Sequence, residues 1–353
     1  MKTDYRVRKL AVAISACVLL VACLGLGDLR LNRFNLTRYF NVKDQKIESK
    51  KQRVICLFGI NFKCKASEEV KIVKIAGGLG NQMFQYAFGK ALEYEQKQKV
   101  LFDDSWFLES KKEIVNNKKE NSIGVVMRGY GLDIFSLDIP FASDRQIKSC
   151  KNRIYEKKDF IYDRELLKDY GSSYYIGYFQ NENYFKKIRS QIKGAFRFPP
   201  IHPSDKFNYE WLNKIRKSKN SVFIHLRRGD YLNLQGWALS TNYYKKAVRY
   251  IKENVENPCF FVFGQNCSDY LKKEFNIDAS FEIIGETNSE NNEDWKDLVL
   301  MKACKHAIIA NSTFSWWAAW LGRANTEGIV IAPTPFVNGR DEIVCDNWIK
   351  IKR

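Results

Sequence analysis

Apolar and polar positions divide the chain into three stretches. Residues 10–27 are apolar without interruption except for Ser15, and Lys2, Arg6, Arg8 and Lys9 precede them. Eighteen helical residues span ~27 Å, just short of a ~30 Å hydrocarbon core. The run predicts a signal-anchor helix behind a cytoplasmic tail of residues 1–9. A cleaved signal peptide and a lipoprotein signal at Leu20-Val21-Ala22-Cys23 are competing readings. Basic residues flank both ends, Arg30, Arg33 and Arg38 downstream, so the charge rule orients the segment only weakly. Residues 28–67 are polar, lack sustained periodicity and read as a stem.

Beyond the stem the pattern becomes that of a folded α/β protein. Residues 71–75 read as a strand, Ala76-Gly77-Gly78-Leu79-Gly80 as a tight turn, and 81–98 as a helix. Met83, Phe84, Ala87, Phe88, Ala91 and Leu92 fall at near-helical spacing in that helix. Residues 100–102 make a second strand, and a strand–loop–helix–strand unit predicts a parallel sheet. Residues 111–122 read as an exposed polar loop and 181–193 as helical. Pro199, Pro200, Pro203 and the lysines of 200–220 suggest a domain junction. The pattern then restarts: strands at 221–225, 260–263, 281–284, 307–310 and 329–332, with helices at 242–252, 294–304 and 316–321. The expected architecture is two Rossmann-like domains, 68–215 and 216–353, facing a cleft.

Composition changes this picture little. The 353 residues carry a formal charge of +18 with 45% apolar and 14% aromatic content, as a globular chain of two domains would. The basic residues are dispersed along the chain, and no recognition helix or aromatic–basic motif points to nucleic acid. Seven cysteines lie beyond the apolar run (Cys56, Cys64, Cys150, Cys259, Cys267, Cys304 and Cys345), so at least one is unpaired within a monomer. Asn35, Asn266 and Asn311 begin glycosylation sequons that count only in a secretory compartment.

Three constellations can carry chemistry. The first is His225-Leu226-Arg227-Arg228-Gly229-Asp230-Tyr231, placed where a buried strand empties into a loop. Ligands of open α/β sheets bind at such carboxyl ends, and forked guanidinium donors suit a diphosphate. The second is Gly77-Gly78-Leu79-Gly80-Asn81-Gln82, a helix N-terminus able to seat an anion, with two amides that can bind a sugar. It is close to a dinucleotide fingerprint, with Met83 where the third glycine belongs and Asp103 and Asp104 ending the next strand. A dinucleotide oxidoreductase therefore stays open at this point. The third is Asn311-Ser312-Thr313-Phe314-Ser315, another anion cradle, followed by Trp316 and Trp317, which read as core. There is no HExxH, Asp-x-Asp, Walker loop or Gly-x-Ser-x-Gly elbow, so diphosphate charge would be met by arginine and backbone dipoles.

In this order, Gly77-Gly78-Leu79-Gly80-Asn81-Gln82-Met83-Phe84-Gln85-Tyr86-Ala87, the arginine loop and Asn311-Ser312-Thr313-Phe314-Ser315-Trp316-Trp317 resemble the galactoside α-1,2-fucosyltransferases of glycosyltransferase family 11. The likeness runs from about residue 71 to 347. It implies a GT-B-like fold and an inverting, metal-independent transfer of L-fucose from GDP-fucose to the 2-hydroxyl of a terminal galactose, with no cofactor. It further implies that Arg227, with Arg228, and the Ser312-Thr313-Phe314 turn hold the donor diphosphate. His225 would contact the nucleotide side, Asn81 would lie near donor and acceptor beside Gly78, Gly80 and Gln82, and Asp297 would recognise guanine or ribose. Asp230 and His225 are the candidate bases. Animal members imply a single-pass type II Golgi membrane protein with a luminal catalytic domain. A catalytically silent glycan-binding relative is the remaining alternative.

Overall fold

The structure is a computed structural model. It describes residues 69–353 apart from 117–128, 228–230, 232–236, 265–266, 268–269, 272–274, 276–278, 286–287, 289–292 and 338, together with three strands between 40 and 65. The expected anchor, residues 10–27, lies outside the described residues. Among those described, no helix is long and apolar enough to cross a membrane. The chain divides into two units, 1–69 and 70–353. In the first, β1 (Phe40–Ile47), β2 (Lys50–Leu57) and β3 (Ile60–Lys65) pair into an antiparallel sheet within the stretch expected as a stem. Ile60, Phe62 and Cys64 alternate there with polar residues, a short period-two pattern that the high polar content obscures.

The second unit holds two parallel sheets. Its first half runs β4 (Lys71–Lys74), α1 (Leu79–Gln96), β5 (Val100–Asp103), α2 (Ser105–Asn116), α3 (Asp144–Ser149), β6 (Arg153–Tyr155) and β7 (Ser173–Ile176). The four strands lie in the order β5-β4-β7-β6, all parallel. Two short 3-10 turns (Glu182–Tyr184 and Lys186–Ile188), α4 (Arg189–Ala195) and α5 (Lys206–Lys217) lead to the second half. That half runs β8 (Ser221–Leu226), α6 (Thr241–Asn254), β9 (Cys259–Gly264), β10 (Phe281–Gly285), α7 (Trp295–Ala303), β11 (His306–Ile308), α8 (Thr313–Leu321), α9 (Ala324–Glu327), β12 (Val330–Thr334) and β13 (Ile349–Lys352).

The six strands lie in the order β10-β9-β8-β11-β12-β13, all parallel. Counted from β8, that is 3-2-1-4-5-6, the order of doubly wound nucleotide-binding sheets. The order reverses between β8 and β11, and ligands of such sheets bind outside the carboxyl ends at that point. All six residues of β8 and all three of β11 are buried, as strands covered on both faces must be.

Several expectations are corrected. Residues 111–116, expected as loop, continue α2, because Lys and Glu are good helix formers and a polar run does not by itself break a helix. The expected junction at 200–220 contains α5, capped by the Asp205 carboxylate, which accepts from Asn208 N–H at 3.3 Å. Asn208, Leu212 and Ile215 form its buried face. The helix expected over 181–193 starts as 3-10 turns and is α-helical only in α4. Strands β6, β7 and β13 carry no long apolar run and were not expected.

The halves are joined by packing of α1 against α8. Trp316, Trp317 and Trp320 are fully buried, in agreement with the expected core role of the first two. The ring of Phe84 lies 4.6 and 4.7 Å from Trp316 and Trp317, and Phe185 stacks on Trp317 at 5.7 Å. Each indole N–H is satisfied: Trp316 by Ile343 O at 2.8 Å, Trp317 by Gly80 O at 2.9 Å and Trp320 by the Glu182 carboxylate at 3.0 Å. Burying three large rings with all donors paired makes this contact strong and directional.

Candidate active site at the switch point

The carboxyl ends of β8 and β11 bring His225, Arg227 and Asn311 to the reversal of strand order. His225 is the fifth residue of β8 and 6% exposed. Its carbonyl accepts from Tyr244 O–H at 3.0 Å, and its ring lies 6.1 Å from that of Phe314. Burial, with help from the Arg227 charge, pushes the imidazole down to about 3, so the ring is neutral at physiological pH. Its Nδ1 is buried without a hydrogen-bond partner. The Arg227 guanidinium lies 5.1 Å over the ring of Tyr231, whose hydroxyl donates to Asn311 O at 3.3 Å. Tyr231 thus ties the arginine loop to the end of β11. Arg228 and Asp230 lie outside the described residues.

On the β11 side, Asn311 is 2% exposed and its amide nitrogen donates to Trp237 O at 2.8 Å. A glycan on Asn311 would require this bond to be given up, because an acceptor nitrogen must be exposed. Asn35 and Asn266 fall outside the described residues. The Asn311 Oδ1 is a second buried polar atom without a partner. Ser312 caps α8, accepting from Phe314 N–H at 3.4 Å, so Thr313 and Phe314 form the first turn of that helix.

The glycine motif meets this turn directly. Thr313 Oγ1 donates to Asn81 Oδ1 at 3.0 Å, and Gln180 Nε2 donates to the same oxygen at 2.8 Å. A side chain on Gly80 would come within 2.6 Å of Thr313 Oγ1 and 2.8 Å of its backbone carbon. Gly80 is therefore required by close approach of two helices, and the motif needs no dinucleotide to explain it. Gly78 is the N-cap of α1, without a side-chain cap. Gln82 is fully buried, donating to Gly77 O and Gly129 O and accepting from Gly131 N–H, each at 2.9 Å. Its amide is spent on the glycine turn and on the loop that precedes Leu132. The two helix N-termini, α1 and α8, converge where the halves meet, each adding partial positive charge.

Asp297 lies in the first turn of α7, 8% exposed, and accepts from Asn288 Nδ2 at 2.6 Å. Asn288 and Asn208 pair through both amides at 2.9 Å. Asn288, on the loop that follows β10 at the same edge of the sheet as Arg227, thus joins α5 to α7. Sequence reasoning did not find Asn208, Asn288, Tyr244 or Gln180. Gln180 follows β7, whose Ser-Tyr-Tyr-Ile tetrad before Gly177 was the available signal.

The sequence model of glycosyl transferase family 11 matches residues 140–352. The chain belongs to glycosyl transferase family 11. It is a glycosyltransferase of the fucosyltransferase kind, and an oxidoreductase reading of the glycine turn is thereby set aside. The family 11 chain is 32% identical over 304 residues, 80% of itself and 99% of the relative, to an α-1,2-colitosyltransferase of Escherichia coli. It is 28% identical over 158 residues, 40% of itself and 41% of the relative, to galactoside α-(1,2)-fucosyltransferase 1 of Leontocebus fuscicollis. The fucosyltransferase NodZ from Bradyrhizobium superposes with a TM-score of 0.42 and 12% identity over 73% of this chain and 94% of that one.

Proposed function

We propose that this family 11 glycosyltransferase moves L-fucose from GDP-β-L-fucose to the 2-hydroxyl of a terminal galactose, with inversion at the transferred carbon. The observation that carries the reading is the pair of buried, unpartnered polar atoms, His225 Nδ1 and Asn311 Oδ1, flanking Arg227 at the switch point. Buried polar groups are almost always paired, so orphans beside a cation at a ligand-binding edge mark where a polar ligand completes the structure. A nucleoside diphosphate meets that demand.

Cleavage of the sugar–phosphate bond leaves positive charge on the sugar and negative charge on the diphosphate. Arg227 and the N-termini of α1 and α8 are fixed donors and dipoles that would stabilise the developing negative charge without reorganising. This reading assigns the charge to Arg227 and the dipoles and expects no metal ion or cofactor, so turnover should persist in a chelator. Neutral His225 can hydrogen-bond the nucleotide but cannot act as a general acid near pH 7. Arg228 would add a second donor, and Asp230 is retained as the candidate base.

The α-1,2-colitosyltransferase likeness favours a second donor, GDP-colitose, whose sugar is the 3-deoxy counterpart of fucose. The test is one assay with GDP-fucose and GDP-colitose in competition over a panel of galactosides, with product linkage read by NMR. A kcat/KM preference for GDP-colitose, or any linkage other than α-1,2, would replace the first reading, and failure to bind GDP would sink both. The anchor over residues 10–27 and the type II Golgi placement are likewise proposals. Membrane fractionation of the chain with and without residues 1–27 decides the anchor, and microscopy of the tagged chain decides the compartment.

A further inference from the structure

The second sheet has its own switch point, and the donor reading leaves it unused. In the order β5-β4-β7-β6 the reversal falls between β4 and β7, whose carboxyl ends lead into residues 75–78 and 177–180. Gln85 ties the two ends together: its Oε1 accepts from Ala76 N–H and its Nε2 donates to Gly177 O, both at 2.9 Å. This edge carries an exposed aromatic ring. Tyr178 is 40% exposed, and a side chain at Gly77 would come within 3.5 Å of its ring. The ring therefore lies against the glycine turn, next to Asn81.

The turn that presents Tyr178 is held from beneath. Glu156, just beyond β6, accepts from Tyr178 N–H at 2.7 Å and Phe179 N–H at 3.0 Å through one carboxylate oxygen. A side chain on Gly177 would come within 2.5 Å of Glu156 Cβ, so the carboxylate and the turn are in close contact. Phe179 sits in the left-handed region at φ 52°, a conformation that a phenylalanine adopts only when its surroundings impose it. Gln180, next in sequence, then reaches Asn81. The other Glu156 oxygen is buried without a partner. Burial raises the Glu156 pKa, against the two backbone hydrogen bonds that lower it, and nearby Asp159 adds to the rise. A buried carboxylate that is not fully paired is a costly way to fix a surface turn. The cost is understandable where the turn must present one ring in one place.

We propose that Tyr178, held over the glycine turn by Glu156, is the platform on which the acceptor sugar rests during transfer. An exposed ring face offers apolar area to the C–H face of a pyranose. At its margin are Asn81, whose Nδ2 borders the same Gly77 position as the ring, and Asp159, whose charge acts on the Tyr178 hydroxyl. Sites for polar ligands have this composition, an apolar wall with a few fixed polar groups. The seat adjoins the donor site through the Asn81–Thr313 bond, as transfer between two bound sugars demands. Tyr178 contacts the acceptor, whereas Glu156 is a positioning residue that acts through the turn. This assignment rests on the transferase reading above.

The experiment uses the whole chain and two probes, GDP by calorimetry and lactose by saturation-transfer NMR, with acceptor KM and kcat measured on lactose. Tyr178→Ala should remove the lactose signal and raise the acceptor KM at least tenfold, with GDP affinity within twofold of the parent. Tyr178→Phe should retain both the signal and the KM. Glu156→Ala should raise the acceptor KM with little change in GDP affinity, and Glu156→Gln, which keeps an acceptor oxygen, should recover part of the loss. An unchanged lactose signal or KM in a folded Tyr178→Ala protein overturns the platform, as does a parent protein that shows no lactose signal. If GDP does not bind, the donor reading falls, and the lactose arm still decides the seat.

Discussion

Thr313 Oγ1 donates a hydrogen bond of 3.0 Å to Asn81 Oδ1, across a sequence separation of 232 residues. The bond joins the first turns of α8 and α1, the two helices whose N-termini bracket the proposed donor site. Removing the hydroxyl in Thr313→Val should cost about 1 kcal/mol of stability, the net worth of a neutral hydrogen bond. In a double-mutant cycle with Asn81→Ala, urea denaturation should show coupling of about 0.5 kcal/mol or more. Additive effects would mean that the two residues do not communicate.

Gly80→Ala tests the helix crossing. The added methyl would meet the Thr313 backbone at 2.8 Å, which cannot rotate away. Overpacking of this kind costs roughly 1–3 kcal/mol. Thermal unfolding should therefore begin several degrees lower than in the parent, and a Tm equal to the parent's would show that α1 and α8 are not packed as described.

Arg227→Ala should lower kcat by about 10²–10³, the usual consequence of losing one donor that strengthens in the transition state. The far-UV circular dichroism should be unchanged, since Arg227 lies at the end of β8, outside its hydrogen-bonded ladder. Arg227→Lys should recover only part of the rate, because an ammonium lacks the planar fork. Near-normal turnover by a folded Arg227→Ala protein contradicts the assignment.

Two buried histidines should make stability depend on pH in the acid range. His225 is held down at about 3 by burial and then Arg227, and His306 at about 4 by burial and then Lys305 and Arg323. In the unfolded chain both titrate near the ordinary value of about 6.5. Between those limits the unfolded state binds the extra proton, so stability is full above pH 6.5 and declines as pH falls, by up to about 1.4 kcal/mol per unit for each ring. His306 Nδ1 accepts from Ile329 N–H at 3.0 Å, a role that an asparagine oxygen can imitate. His306→Asn should flatten the urea-midpoint profile between pH 6.5 and 4.5, and an unaltered slope would refute the assignment.

Expression through a secretory pathway should leave Asn311 without glycan, because its amide nitrogen is buried and bonded to Trp237 O. Peptide mass spectrometry reads this directly. A glycan at Asn311 would mean that the β11–α8 turn is open before or after folding.

The chemistry of the edges was legible in the amino-acid order alone. An apolar run ending in His225-Leu226-Arg227 places a cation at a strand end in any parallel sheet, and Asn311-Ser312-Thr313 before a tryptophan-rich helix places a capped N-terminus at another. Both signals are local, since strand period, cap residues and glycine turns depend on neighbours in the chain. That these two edges are adjacent emerges only from the folded arrangement, because strand order depends on which pairings bury the most surface. The same arrangement decided that Gly80 serves a helix crossing and Gln82 a loop, as the same residues would suit a phosphate equally well. Strands β6 and β7 escaped the sequence because they are short and their partners lie up to about a hundred residues away. With them went Glu156, Tyr178 and Gln180, and with those the acceptor side of the site.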